Sequence, residues 1–142
     1  MKIDFRVVLD TNVILSSHWG NSNSPNREIT DRWELGEFDL LYSDDTISEY
    51  IEKLIDKGFP ETLIKKFVTS VLKLGVSIFI EKYHFVKYPK DPDDIAFFLC
   101  AENGDASHLV TYDGHLKEIK INCSSKICEP IPFLQDLREH LK

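Results

Sequence analysis

Apolar residues along this chain fall into two alternating kinds of run. Phe5-Arg6-Val7-Val8-Leu9, Phe38-Asp39-Leu40-Leu41-Tyr42, Val76-Ser77-Ile78-Phe79-Ile80, His108-Leu109-Val110-Thr111 and the weaker Lys126-Ile127-Cys128 are short, dense runs of strand length. Between them, apolar positions recur at helical spacing. Ser24 and Pro25 read as the N-cap and first residue of a helix running to about Glu34, with Ile29 and Trp33 inward and Gly36 near its end. Ser43 caps the next helix, Asp44 and Asp45 occupy its first turn, and Ile47, Tyr50, Ile51, Leu54 and Ile55 form its inner face up to Gly58. A helix from Pro60 carries Leu63, Ile64, Phe67, Val68, Val71 and Leu72, closed by Gly75. The Asp91–Asn103 stretch, with Ile95, Phe98 and Leu99, and a C-terminal segment with Phe133, Leu134, Leu137 and Leu141 complete the set. Strands alternating with helices predict an α/β fold, a three-layer α/β/α sandwich around a mainly parallel sheet. Right-handed crossovers then bring the strand ends to one edge.

Composition adds bounds to this pattern. A length of 142 residues suits a single domain spanning 1–142, and 42% hydrophobic with 29% charged residues is ordinary for a globular chain. No apolar run approaches the roughly 20 residues needed to cross a membrane. Met1-Lys2-Ile3-Asp4-Phe5 does not read as a signal peptide, so a cytoplasmic location is expected. Cys100, Cys123 and Cys128 show no zinc spacing; Cys100 reads as a small buried hydrophobe, and a disulfide between the other two is not expected in a reducing compartment. Seventeen basic against 24 acidic residues give a net charge of −7, which argues against nucleic-acid binding unless bound cations reverse the local sign.

The chemistry is carried by acids. Asp10, in Val8-Leu9-Asp10-Thr11-Asn12-Val13, directly follows the first strand, and the carboxyl end of a strand is where open parallel sheets bind ligands. Asp94 stands at the head of a helical pattern, and Asp113 follows the fourth strand in Leu109-Val110-Thr111-Tyr112-Asp113. Each has a plainer reading. Asp10 suits an N-cap, Asp91, Pro92 and Asp94 suit N-cap, N1 and N3, and Asp113 before Gly114 suits a turn. Thr11 and Asn12 read as supports for Asp10, and Thr111 as pointing toward the site.

Taken together, Val8 to Val13, Ser43 to Tyr50, Asp94 through Ala101 and Leu109 to Asp113 resemble, in order and spacing, the PIN-domain family of metal-dependent ribonucleases, which includes the toxin halves of toxin–antitoxin pairs. The resemblance implies an acidic site of Asp10, Glu49, Asp94 and Asp113, with Asp10, Asp94 and Asp113 as ligands of Mg2+ or Mn2+. It selects Asp94 over Asp91 and Asp93, though Asp93 stays open as a contributor. Glu49 shares a helix side with Asp45, Ser48, Glu52 and Asp56, which resembles an ordinary solvated face, and Glu52 is its alternative. Many relatives carry an acid just after the small residue before the fourth strand; here Ser107 follows, with Asp105 earlier. Such carboxylates suit phosphodiester hydrolysis, because hard divalent cations take oxygen ligands and activate water.

The resemblance also implies an RNA substrate, an antitoxin as protein partner and a homodimer as the assembly. Lys82-Tyr83-His84-Phe85-Val86-Lys87-Tyr88-Pro89-Lys90 interleaves bases with aromatics, as single-strand binders do, but each residue reads more readily as part of an edge strand or surface loop with snorkelling lysines. Two rivals stand beside the nuclease. A haloacid-dehalogenase-type phosphatase needs Asp-x-Asp, but Asn12 occupies its third position. A non-catalytic binding or scaffold module would instead use the acidic surface and aromatics such as Trp19. His84, His108 and His115 support neither a metal site nor a Ser–His–Asp triad.

Overall fold

The computed structural model describes residues 5–19, 23–82, 92–113 and 125–142, without the side chains at 18, 19, 92 and 93. The elements in chain order are β1 (Arg6–Leu9), α1 (Thr11–Trp19), α2 (Pro25–Glu34), β2 (Asp39–Tyr42), α3 (Asp44–Asp56), α4 (Glu61–Leu74), β3 (Val76–Ser77), α5 (Pro92–Asn103), β4 (His108–Val110), β5 (Lys126–Cys128) and α6 (Pro130–His140). The strands form one five-stranded sheet in the order β3-β2-β1-β4-β5, and every pairing is parallel. Val7, Val8, Leu9, Leu40, Leu41, Leu109 and Val110 are buried, as expected of parallel strands covered on both faces. Helix α1 packs against α2 and α3, α2 against α6, and α3 against α4 and α5, around the central sheet of the α/β fold. No helix among the described residues is long and apolar enough to cross a membrane.

Local signals explain most element ends. Ser24 Oγ accepts from Arg27 N–H at 3.2 Å, and Ser43 forms a reciprocal capping box with Thr46. Gly36 and Gly58, both at positive φ, close α2 and α3 through paired backbone bonds back into the last turn. Gly75 acts differently. A Cβ there would lie 2.5 Å from the Val71 carbonyl oxygen and 2.9 Å from the Tyr42 ring, so only glycine admits the turn from α4 into β3.

Several expectations change. The third strand is only Val76–Ser77. After the Ile78 N–H bonds the Tyr42 carbonyl at 2.7 Å, β2 has ended in the Ser43 cap and offers no further partner; Phe79 is exposed. Ile55 and Leu72, placed on inner helical faces by spacing, are 60% and 58% exposed, because the stripes run beyond the surface that neighbouring elements cover. Leu141 is likewise exposed past the end of α6. The connection at 83–90, Asp91, Cys123 and His115 lie outside the described residues, as do the side chains of Trp19 and Asp93.

Candidate functional site

The strand order reverses between β1 and β4: from β1 the chain steps outward to β2 and β3, then returns to the other side for β4 and β5. In open α/β sheets the crevice at such a reversal is where ligands bind. The register pairs Leu9 with Val110, so the next residues, Asp10 and Thr111, emerge side by side at the carboxyl edge. The Asp10 N–H still bonds the Val110 carbonyl at 2.9 Å, which ties its backbone to the sheet.

Asp10 is only 5% exposed, and both carboxylate oxygens are engaged. Oδ1 accepts from the Thr11 N–H at 2.7 Å, and Oδ2 accepts from Thr111 Oγ1 at 2.7 Å. Its carbonyl accepts from the Val13 N–H at 3.0 Å, so Asp10 also opens α1, where the helix dipole favours an anion. The capping role and a place at the crevice therefore coexist in one residue. Thr111 Oγ1 in turn accepts the Asp113 N–H at 2.9 Å. One hydroxyl thus links Asp10 to the backbone of Asp113.

Beneath this edge, the hydroxyl of fully buried Tyr50 on α3 donates to the Leu9 carbonyl, one residue before Asp10. Burial raises the Tyr50 phenol well above its ordinary value, with Cys100 and Asp10 adding in the same direction, so it remains a donor. Burial also pushes the Cys100 thiol up to about 12 against a smaller opposing effect from Ser43; it is inert packing, as expected. Spacing alone places Tyr50 on an apolar stripe, and nothing in the sequence signals its bond to β1.

Asp94 is 7% exposed, in the first turn of α5, which packs on β1 and β4 and returns the chain toward the start of β4. Glu49 is mostly buried, pairs with Lys53 at 3.9 Å, and lines a cavity of about 350 Å³ between α3 and α5 with Ser48, Glu52, Ile95 and Ala96. Glu52 shares that cavity, so the groove admits either glutamate. Larger cavities, of about 430 and 360 Å³, lie along α4 and between α2 and α4, away from Asp10. Among the described residues, no three His, Cys, Asp or Glu side chains stand close enough together to hold a metal ion. The structure joins Asp10 with Asp113 through Thr111 and buries Asp94; it does not assemble them into one coordination set.

The donors present nonetheless suit a hard cation. Among the described residues they are carboxylate and hydroxyl oxygens. Thr11 Oγ1, next to Asp10, is buried with no hydrogen-bond partner among the described residues, an oxygen still to be satisfied.

His108 lies at the amino end of β4, the opposite edge. Its ring nitrogens contact Ser107 Oγ at 2.8 Å and Asp136 Oδ2 at 3.0 Å, an alignment the sequence did not suggest. Ser107 Oγ is occupied by the Arg6 backbone, at 3.2 Å to N and 3.1 Å to O, and aromatic rings of Phe5 and Phe133 enclose the imidazole. The trio anchors α6 to the sheet. Asp105 is an exposed turn residue at positive φ, with no place in the site.

The PIN-domain family profile matches residues 6–115, which span β1, the Asp10–Thr111 crevice and Asp113. The chain belongs to the PIN-domain family. PIN domains are a nuclease family, and this one shares its fold with solved relatives. The crystal structure of VapBC2 from Rickettsia felis, bound to a DNA fragment from its promoter, is similar to it with a TM-score of 0.55 at 12% identity, covering 87% of this chain and 97% of that one. No curated protein sequence matches this PIN domain.

Proposed function

We propose that this chain, as one PIN-like domain over residues 1–142, is a divalent-metal-dependent endoribonuclease that hydrolyses RNA phosphodiester bonds as the toxin of a toxin–antitoxin pair. The supporting observation is Asp10: a buried carboxylate on a rigid strand end, at the sheet's reversal point, oriented by Thr111 and linked through it to Asp113. Asp10, Asp94 and Asp113 would hold Mg2+ or Mn2+, with Glu49 as an auxiliary base. The bound ion would lower the pKa of the attacking water and offset charge on the leaving oxygen. The Thr11 N–H and Thr111 hydroxyl fix the Asp10 rotamer, so little reordering is needed at the moment of reaction. A cognate antitoxin and a homodimer belong to the same reading.

Asp10→Asn keeps the size of the side chain and removes its charge. Cleavage of an RNA substrate in Mn2+ should fall on the order of 100-fold or more, with the circular dichroism spectrum unchanged. Full activity in that variant would remove the proposal.

A second reading, a non-catalytic PIN module that binds a protein, draws on the net charge of −7. Calorimetric titration with Mn2+ separates the two, since a scaffold has no need to bind the ion.

A further inference from the structure

We infer that Tyr112 is a stacking platform for a nucleobase of the bound substrate. The inference rests on the ribonuclease reading above and names a residue that would grip its substrate. Tyr112 sits in sequence between Thr111, whose hydroxyl orients Asp10, and Asp113, so its backbone borders the crevice where these residues meet. It is 44% exposed, unlike Thr111, which is fully buried. Its hydroxyl contacts Oδ1 of Asn26, a buried residue in the first turn of α2, at 3.2 Å. A tyrosine held at its phenolic tip and partly exposed offers solvent a ring already ordered, so little side-chain entropy is lost when a base stacks on it.

Charge favours a contact of this kind. A chain of net charge −7 repels a polyphosphate at long range, and the acids of the site add to that locally until cations bind. Base–aromatic stacking does not depend on charge and tolerates any base, because each has a π-face. Little sequence bias is therefore expected at the stacked position.

The test uses the full chain with Mn2+ and an oligoribonucleotide whose cleavage point is mapped, alongside the same oligomer with an abasic residue next to that point. The unaltered protein should show a KM on the order of ten-fold higher for the abasic substrate. Tyr112→Ala should raise KM for the natural substrate by a similar factor, leave kcat within a few-fold, and no longer distinguish the two substrates. Tyr112→Trp, which loses the bond to Asn26 but keeps a large ring, should retain most of the discrimination. In an Asp10→Asn background, fluorescence anisotropy should show the same order of affinities without turnover. Equal use of both substrates by the unaltered protein, or discrimination that survives Tyr112→Ala, would overturn the platform while leaving the nuclease intact. Absence of any RNA cleavage by the unaltered protein would instead overturn the nuclease reading, and this inference with it.

Discussion

The Thr111 hydroxyl donates to one side chain and accepts from one backbone amide, and both partners are acids of the candidate site. Thr111→Val keeps its shape and removes both bonds. Asp10 Oδ2 then loses its donor in a buried setting, which should destabilise the fold by about 1–3 kcal/mol in urea unfolding and lower RNA cleavage at saturating substrate. The sequence pointed to Thr111, because a residue following a buried strand beside a candidate acid faces the same edge. It gave no indication of Tyr50, since a tyrosine at helical spacing reads as packing and only coordinates reveal where its hydroxyl goes. Tyr50→Phe should cost about 1–2 kcal/mol by leaving the Leu9 carbonyl without that donor, read as a lower urea midpoint at unchanged m-value. The acids divide in the same way. Asp10 was legible because it ends a strand, whereas Glu49 and Glu52 share one groove and helical periodicity cannot separate them.

Among the elements, α6 depends most on protonation. Asp136 on α6 accepts from Lys126 of β5 at 2.8 Å and contacts His108 of β4 at 3.0 Å. Burial holds His108 below its ordinary value of 6.5, against the opposing pull of Asp136, so the folded protein keeps the imidazole neutral. The unfolded chain takes up that proton first as pH falls, so the contribution is complete above about 6.5 and is lost progressively below it. Asp136, held below its ordinary 3.8 chiefly by Lys126, adds a loss in the same direction at still lower pH. Urea midpoints should therefore fall between pH 7.5 and 5.5, and His108→Gln should flatten that part of the profile. Helix starts and stops were largely legible, because Ser24, Ser43, Gly36 and Gly58 each carry a local mechanism. The length of β3 and the exposure of Ile55 and Leu72 were not, because both depend on what a neighbouring element covers.

For the whole molecule, the alternation of strands and helices foretold the parallel sandwich, but strand order had to come from the structure. That order puts β1 at the centre and makes the β1–β4 junction the crevice. If Asp10 is a ligand, Mn2+ at 100 times its dissociation constant should stabilise the native state by about 2.7 kcal/mol. A rise in Tm with Mn2+ in the unaltered protein, absent in Asp10→Asn, is the expected result. The same order has a consequence for biosynthesis. The Asp10–Thr111 bond closes a loop across 101 positions, so a long stretch of chain is made between the two residues it joins. Contacts of such long range form late in folding. A nascent chain that has exposed only β1 to β3 carries Asp10 without its orienting hydroxyl, so the crevice takes its shape only once β4 has emerged.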